Sequence, residues 1–342
     1  MLLRGPLDND SRVNKEIESL SKFGHEVTIL SVNGSHHGTA DSRVLSYSAK
    51  RRILPGVSSL LLFFKFISFA ASCYKDHVVI HAHDLNTLPV AVLVRWLNFN
   101  RTVSIVYDTH EYAQNDVPNE SRFNQYCKYL YEKFFIKFCD HVITVSDAIA
   151  NEYSVQYGIS KPDVILNCPP MRSPGRTSNY FRQKFGINFD QRVFLYQGAL
   201  CPGRGIDSLL DAFNSFEENG PVIIFMGYGE MRSEIESYQS SCNNIFYHES
   251  VSPKLLPEFT AAADVGIALI DDCCLSYRYC LPNKLFEYLM ARLPVLVSNL
   301  PEMKKVVSDY GVGFVAETGS AKDLSVAINC ADEAFTQFPM KR

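Results

Sequence analysis

The chain has 342 residues, a length that predicts about two domains and excludes a peptide hormone or a single small binding module. Lysine and arginine number 33 against 37 for aspartate and glutamate, so the net charge of −4 predicts no nucleic-acid partner. Hydrophobic residues make up 46% and charged residues 20%, which is typical of folded globular proteins and excludes intrinsic disorder.

Helix and strand patterns alternate along the chain, which predicts parallel sheets joined by crossover helices. A capping run at 8–11 precedes an apolar stripe at helical spacing, and Gly24 suits the end of that first helix. Before it, Met1-Leu2-Leu3 makes a poor first strand. Strands are predicted at 25–30, 77–81, 102–107, 141–145, 164–166, 193–197, 222–226, 265–269 and 294–297.

One apolar stretch, Leu54 to Ala71, is similar to a membrane segment, but it contains Lys65. Its apolar part is about 15 residues long, whereas a spanning helix needs about 20. We interpret it as a core helix, with a helix lying on the membrane surface as the alternative. The ten cysteines include no Cys-x-x-Cys pair, which predicts reduced thiols in a cytoplasmic protein, at most peripheral at the inner face of the membrane.

Prolines and small polar residues interrupt both periodicities at 167–175, where we place a domain boundary. The predicted organisation is an N-terminal domain over 1–168, a linker over 169–190 and a C-terminal domain over 191–342. Both domains are expected to be α/β, with ligands binding in a cleft at the carboxyl ends of their parallel strands.

Four polar clusters follow predicted strands and therefore stand where ligands are expected. They are His81-Ala82-His83-Asp84, Asp108-Thr109-His110-Glu111, the loop Gly198–Gly205, and Pro282-Asn283-Lys284 at the start of a helix. Taken singly, each histidine also fits a turn or capping role.

The two clusters of the second half predict a phosphate and sugar site. Glycines in the loop Gly198–Gly205 allow close approach of a phosphate, which the following helix N-terminus and Arg204 favour; a plain turn is the alternative. Because Asn283, Lys284 and Glu287 share a helix face, the Glu287 carboxylate is placed to accept hydrogen bonds from a vicinal diol. A local Lys-Glu pair is the alternative there. The chain has no Walker loop and no dinucleotide fingerprint, which argues against hydride transfer.

The chain resembles the retaining nucleotide-sugar glycosyltransferases of family 4, the "group 1" family, which have the GT-B fold of two Rossmann-like domains. The matching segments run in order along nearly the whole sequence: 10–16, 24–28, 80–84, 106–112, 143–147, 196–200, 203–205 and 281–302.

This resemblance implies a nucleotide-sugar donor on the C-terminal domain, where Glu287 matches the ribose-binding carboxylate and Arg204 and Lys284 match the diphosphate-binding cations. The implied donor-binding residues are Arg204, Lys284, Glu287, Asn283, Gly203 and Gly205. No metal or other cofactor is expected, because fixed cations stabilise the departing diphosphate.

On the N-terminal domain the resemblance implies a saccharide or lipid-linked acceptor. His110 matches a position near the reacting sugar and is the implied catalytic residue, as an orienter of donor or acceptor. The acceptor-side candidates are His83, Asp84 and Glu111. Transfer is expected to retain the anomeric configuration without a protein nucleophile, and the departing phosphate deprotonates the incoming hydroxyl.

Some positions depart from the family pattern. Tyr279 stands where the family often has a second glutamate, and Ala199 where many members have an arginine. The helix with which members cross back onto the N-terminal domain is expected to be missing after the predicted helix at 323–330. The expected function is glycosyl transfer in surface-polysaccharide, lipopolysaccharide or glycolipid assembly. The alternatives are a shortened, non-catalytic nucleotide-sugar-binding relative and a nucleotide-sugar epimerase of the same fold.

Overall fold

The computed structural model describes residues 1–4, 7, 10–32, 42–47, 57–73, 78–99, 102–116, 118–171, 178–317 and 320–335. Within them the chain divides into two compact units, Met1–Leu166 and Asn167–Arg342. Each unit contains one wholly parallel sheet with flanking helices, so the predicted α/β class is confirmed.

The first unit contains a seven-stranded sheet in the order β3-β2-β1-β4-β5-β6-β7. Its strands are β1 (Leu2–Arg4), β2 (Val27–Val32), β3 (Ser42–Tyr47), β4 (Val78–His83), β5 (Val103–Thr109), β6 (His141–Thr144) and β7 (Asp163–Val164). Its helices are α1 (Ser11–Lys22), α2 (Val57–Ser72), α3 (Leu88–Leu97), α4 (Arg122–Phe135) and α5 (Asp147–Tyr157).

The first helix forms as its sequence predicts. The side chain of Asp10 caps α1 by accepting a 3.0 Å hydrogen bond from the backbone N–H of Val13. Val13 and Ile17 are buried one helical turn apart and pack in the core of the sheet. Residues 8–9 of the predicted capping run lie outside the described residues.

The expectation of a poor first strand was wrong. Leu2 pairs with Leu30 of β2 on one side and with Ala82 of β4 on the other, so β1 is a central strand. Leu2 and Leu3 are buried. Three residues carry little propensity of their own, and burial between two neighbouring strands decides their conformation.

The second unit contains a six-stranded sheet in the order β10-β9-β8-β11-β12-β13. Its strands are β8 (Val193–Ala199), β9 (Val222–Tyr228), β10 (Ile245–Glu249), β11 (Val265–Ala268), β12 (Val295–Ser298) and β13 (Gly313–Ala316). Its helices are α6 (Tyr180–Phe185), α7 (Ile206–Asn214), α8 (Arg232–Ser241), α9 (Leu256–Thr260), α10 (Leu275–Arg278), α11 (Asn283–Met290), α12 (Pro301–Tyr310) and α13 (Ala321–Ala334).

The structure differs from the predicted linker over 178–190. Helix α6 lies in that range, and Phe181 is fully buried in the core of the second unit. Arg182 NH2 forms a 2.6 Å ion pair with Asp264, at the edge of β11. The proline-rich composition therefore marks only the start of the connection, and residues 172–177 lie outside the described residues.

The apolar stretch at 54–71 coincides with α2, which begins at Val57, and residues 54–56 lie outside the described residues. Phe66, Ile67 and Ala70 are buried, as the interpretation of a core helix requires. In the part of the chain that the structure describes, no helix combines the length and apolarity needed to cross a bilayer.

Each sheet has a point where the strand order reverses, between β1 and β4 in the first unit and between β8 and β11 in the second. Ligands of open parallel sheets bind beside the carboxyl ends of the strands at this point. Three of the four polar clusters predicted from sequence lie at these two edges, at the ends of β4, β5 and β8. The fourth, Pro282-Asn283-Lys284, follows α10 rather than a strand and begins α11.

Candidate active site

In the first unit, an ion pair joins α1 to the end of β5. The Nε of Arg12 donates to Asp108 Oδ2 at 2.9 Å, and NH2 of Arg12 donates to Asp108 Oδ1 at 2.8 Å. The remaining nitrogen, NH1, donates to the backbone carbonyl of Ile165 at 2.8 Å, and Nε lies 3.1 Å from Glu16 Oε1. This forked geometry holds the Asp108 carboxylate in one orientation.

Three histidines surround that carboxylate. His83 stands opposite Asp108 in the β4–β5 register, and the rings of His81 and His83 stack with their centres 4.3 Å apart. His83 Nδ1 lies 3.1 Å from His110 Nε2, and His110 Nε2 lies 3.4 Å from Asp108 Oδ2. The structure thus brings together His83 and His110, which the sequence predicted as separate candidates.

Asp84 positions the backbone at this edge. Its Oδ1 accepts a 3.2 Å hydrogen bond from the backbone N–H of His110, and its Oδ2 lies 3.6 Å from His110 Nδ1. Its φ of +61° is a left-handed conformation, which aspartate tolerates better than most residues. Glu111, by contrast, is exposed, and Thr109 Oγ1 donates to its backbone carbonyl. The described contacts therefore place Asp84 in the cluster.

Burial and neighbouring charges shift the pKa values of this cluster in different directions. Burial opposes ionisation of Asp108, but the nearby imidazoles of His110 and His81 and the hydrogen bonds from Arg12 outweigh it and hold its pKa below the usual range. Burial also opposes protonation of His110, but Asp108 and Asp84 raise its pKa to about 9. Burial, and then the charge of Asp108, raise the pKa of Glu16 to about 8. Asp108 therefore keeps its charge at neutral pH.

In the second unit, the loop after β8 packs closely against its neighbours. Gly203 and Gly205 have φ angles of +79° and +68°, and Gly205 is the N-cap of α7. A Cβ at Gly205 would lie 2.9 Å from Leu269 Cβ, and one at Gly203 would lie 3.2 Å from the ring of Tyr277. This loop requires glycine for its backbone and for its packing. Its Arg204 lies over the Tyr277 ring, 4.6 Å from the centre.

Lys284, in the first turn of α11, extends toward the same loop. Its Nζ is buried, lies 3.6 Å from the centre of the Tyr196 ring, and has no hydrogen-bond partner within the described residues. Burial, and then the positive charge of Arg204, lower the pKa of Lys284 to about 7. The two cations predicted from sequence therefore repel each other at one edge of the sheet.

Glu287 is held by the strand beside it. Gln197 Nε2 donates to Glu287 Oε2 at 2.6 Å, while Gln197 Oε1 accepts from Thr260 Oγ1 at 2.9 Å. Tyr288 ties the same helix to the sheet, since its hydroxyl accepts from the backbone N–H of Gln197 and donates to the carbonyl of Ile267. These bonds fix the position of a half-buried carboxylate. Asn283 is the first residue of the same helix and is half-buried.

Several residues of both sites were not singled out from the sequence. Arg12 and Glu16 stand four residues apart on α1, and His81 and Asp108 lie within polar clusters, so their spacing and position were the available signals. No local signal identifies the side chains that position the second site: Gln197, Tyr196, Tyr277 and Tyr288.

Two sequence profiles match the chain in succession. Residues 13–168 match the profile described as Glycosyltransferase Family 4, and residues 178–331 match the profile described as Glycosyl transferases group 1. A search of curated protein sequences found no significant match.

Solved structures share the fold of the whole chain. Sucrose-phosphate synthase from Thermosynechococcus elongatus has a TM-score of 0.75 and 16% identity, covering 100% of this chain and 92% of that one. HepE from Anabaena, in complex with UDP-glucose, has a TM-score of 0.71 and 17% identity, covering 99% of this chain and 91% of that one. WaaG, a glycosyltransferase involved in lipopolysaccharide biosynthesis, has a TM-score of 0.64 and 14% identity, covering 100% of this chain and 92% of that one. The chain therefore belongs to the family-4 type of glycosyltransferases and has their GT-B fold.

Proposed function

We propose that this glycosyltransferase moves a sugar from a nucleotide-diphosphate sugar to a saccharide or lipid-linked acceptor, with retention of the anomeric configuration. The observation that carries the proposal is the pair of cations at the carboxyl edge of the second sheet. Lys284 Nζ is buried without a hydrogen-bond partner among the described residues, and the neighbouring charge of Arg204 destabilises its protonated form. A bound diphosphate would relieve both costs.

The surrounding residues give each part of the donor a place. Backbone N–H groups at the start of α7 and the side chain of Arg204 bind the diphosphate. Glu287, fixed by Gln197, accepts hydrogen bonds from the ribose hydroxyls. The UDP and UDP-glucose complexes of HepE support a nucleotide-sugar donor of this kind.

In the transfer step, the bond between the anomeric carbon and the diphosphate breaks, and a hydroxyl of the acceptor attacks on the same face. The departing phosphate takes the hydroxyl proton. Arg204, Lys284 and the start of α7 stabilise the negative charge that develops on the diphosphate, so no magnesium or manganese ion is required there.

We assign acceptor binding to the cluster at the end of β4 and β5. His110 is held from three directions, by His83, Asp108 and Asp84, and serves as the orienting catalytic residue. The acceptor belongs to surface-polysaccharide, lipopolysaccharide or glycolipid assembly, which the likeness to WaaG supports. The protein would act in the cytoplasm, with α2 as a candidate for peripheral membrane contact.

A second candidate function is a nucleotide-sugar-binding protein without turnover. Tyr279 in place of the second glutamate of the family favours it, because a carboxylate toward the donor sugar is absent at that position. Donor binding without a glycosylated product, tested over a panel of acceptors, would identify this function.

The first experiment is a thermal unfolding series with UDP, GDP and ADP at about 1 mM. A nucleotide with a Kd near 10 μM should stabilise the protein by about 2.7 kcal/mol, which raises Tm by several degrees. Glu287→Ala should weaken binding by roughly 2 to 3 kcal/mol, because it removes charge-assisted hydrogen bonds to ribose. Glu333→Ala, an exposed change on α13, is the matched control and should leave the shift intact.

If Glu287→Ala leaves the nucleotide-induced rise in Tm unchanged, the assignment of the ribose site is contradicted. The nucleotide that binds then selects the donors for transfer assays, in which NMR of the product gives the anomeric configuration. Inversion at that carbon would contradict the retaining mechanism.

A further inference from the structure

Four large apolar side chains on one side of α4 are 47 to 75% exposed: Phe123, Tyr126, Leu130 and Phe134. Their intervals of three and four residues place them within an arc of about 80° around the helix. We call these four side chains the α4 face. Exposed apolar side chains that adjoin one another on a folded chain mark a contact with another molecule or with a membrane.

Aromatic contacts extend the α4 face to a second helix. The rings of Phe134 and Phe138 have their centres 5.6 Å apart, and Trp96 of α3 packs edge-on against Phe138 at 5.1 Å. Trp96 is 44% exposed and is the single tryptophan of the chain. Tyrosine and tryptophan rings favour the boundary between an apolar phase and water. The extended surface therefore has the composition of a membrane-interface contact.

The charges beside the α4 face are positive. Arg122 and Lys133 stand three helical turns apart, so they flank the same side of the face, and Lys137 follows in the next turn. Arg122 and Lys137 are exposed. None of the three basic side chains pairs with a carboxylate in the part of the chain that the structure describes. These charges are therefore available to an anionic partner.

The carboxylates near α4 are withdrawn from this surface. Glu132, the single acidic residue of the helix, stands on the opposite side, is fully buried, and accepts hydrogen bonds from three tyrosine hydroxyls. Lys128 also stands away from the α4 face, and its Nζ pairs with Asp116 at 2.7 Å and with Glu120 at 2.9 Å. No exposed acidic residue of α4 thus opposes an anionic partner.

The pattern of apolar, aromatic and basic side chains favours a lipid surface as that partner. A helix that lies in a membrane interface has aromatic and leucine side chains on one face and lysine or arginine beside them. A second copy of the chain fits less well, because two facing α4 faces would bring like charges together. Helix α2 also fits less well, since it buries Phe66 and Ile67 in the core.

We propose that the α4 face docks the first unit on an anionic lipid bilayer, with Arg122, Lys133 and Lys137 contacting the headgroups. This inference deepens the proposed function, on which it rests for an acceptor held by a membrane, and it moves the membrane contact from α2 to α4. The segment after His110 leads into α4 within the same unit, so docking would hold the acceptor cluster near the bilayer.

The test uses the full chain and lipid vesicles without donor or acceptor, so its failure is distinguishable from a failure of the proposed glycosyl transfer. The chain should sediment with vesicles that contain phosphatidylglycerol and much less with vesicles of phosphatidylcholine alone. Added salt should weaken the binding, because it screens the headgroup charge. A chain that does not bind the anionic vesicles, or that binds both kinds equally, would overturn the proposal.

Trp96 reports where the chain contacts the vesicle, since no other tryptophan contributes to the fluorescence. Its emission should move to shorter wavelength when anionic vesicles are added, and lipids with brominated acyl chains should quench it. Vesicle binding that leaves the emission of Trp96 unchanged would place the contact on another surface and overturn the proposal.

Variants separate α4 from α2. Phe123→Ser with Phe134→Ser should weaken vesicle binding at least about tenfold, because two rings leave the interface. Arg122→Gln with Lys137→Gln should weaken it about 25-fold, since each basic side chain contributes about fivefold near an anionic surface. Phe64→Ser, at an exposed position of α2, is the control and should bind as wild type does.

Loss of binding in Phe64→Ser, with binding retained in the folded α4 variants, would return the contact to α2 and overturn the proposal. All the substituted side chains except the control lie on the exposed side of α4 or directly after it, and circular dichroism checks that the variants fold. If a double variant does not fold, the emission of Trp96 in the wild-type chain still decides the outcome.

Discussion

Lys284 shows how burial and a neighbouring charge act on one side chain. Burial first, and then Arg204, lower the pKa of its ammonium group to about 7 in the free protein. The titratable or charged groups that act on it are Arg204, Cys201, Glu287 and Cys280. A diphosphate bound beside Lys284 favours the protonated form, so nucleotide binding and proton uptake are coupled.

We therefore expect affinity for the nucleoside diphosphate to fall with rising pH. Above pH 7 the free protein must take up a proton to bind, which weakens binding by about tenfold per pH unit. Calorimetry at pH 7.5, 8.2 and 9, in buffers of different ionisation enthalpy, measures both the affinity and the protons taken up. An affinity that is constant across this range would show that Lys284 does not contact the diphosphate.

Lys284→Met supplies the control, because it should abolish the pH dependence. It should also stabilise the free protein. The unfolded chain binds a proton at Lys284 up to a pKa near 10.5, whereas the folded chain releases it near 7. The contribution of Lys284 to the free energy of unfolding therefore rises with pH between about 7 and 10.5 and is lowest below pH 7. The gain in Tm of the variant should be larger at pH 7 than at pH 10.

His110 is expected to matter for turnover more than for nucleotide affinity. His110→Ala removes the group that His83, Asp108 and Asp84 hold in place, and loss of orientation typically costs on the order of 100-fold in rate. Steady-state kinetics and nucleotide titration of the same preparation separate the two effects. A loss mainly in nucleotide affinity would instead place His110 in the donor pocket.

At the scale of elements, the loop between β8 and α7 is the segment whose backbone the site depends on. Gly205→Ala should lower the free energy of unfolding by about 1 to 2 kcal/mol through its left-handed backbone, and by roughly 1 to 3 kcal/mol more through contact with Leu269. Urea denaturation measures the change. Nucleotide affinity should fall as well, because the start of α7 shifts.

Gly311→Ala is the matched comparison. Gly311 has a φ of +61° at the end of α12, but a Cβ there would meet nothing within 4 Å. Gly311→Ala should therefore lower the free energy of unfolding only through its left-handed backbone, by about 1 to 2 kcal/mol. If Gly205→Ala and Gly311→Ala lower the free energy of unfolding equally, contact with Leu269 does not constrain the loop.

At the scale of the whole molecule, the proposed assignment gives the two units different ligands, so the two units should respond separately. Hydrogen exchange with the nucleotide that stabilises the protein should show slower exchange at 198–205 and 283–287 in the second unit. Exchange at 81–84 and 108–111 in the first unit should change much less. Slower exchange in the first unit alone would contradict the placement of the donor.

Much of this architecture could be predicted from the chain. The capped helix α1, the alternation of strands with helices and the positions of Arg204, Lys284 and Glu287 all follow from local patterns, because period, caps and glycines act over a few residues. The strands β1, β3, β10 and β13 were not predicted. β1 has only three residues, and β3, β10 and β13 lie at the ends of their sheets, where pairing with a single neighbour is decided by the tertiary structure.

The sequence by itself determined the fold class and the family, because helix and strand patterns alternate and the matching segments run in order along the chain. It also indicated the edges of the sheets where the candidate sites lie, because polar residues follow the predicted strands there. Only the tertiary structure decided which of those residues meet. Arg12 reaches Asp108 across 96 positions, and Gln197 reaches Glu287 across 90. Such contacts depend on strand order and register, which bring distant segments together and also set the burial that shifts the pKa values of Glu16, His110 and Lys284.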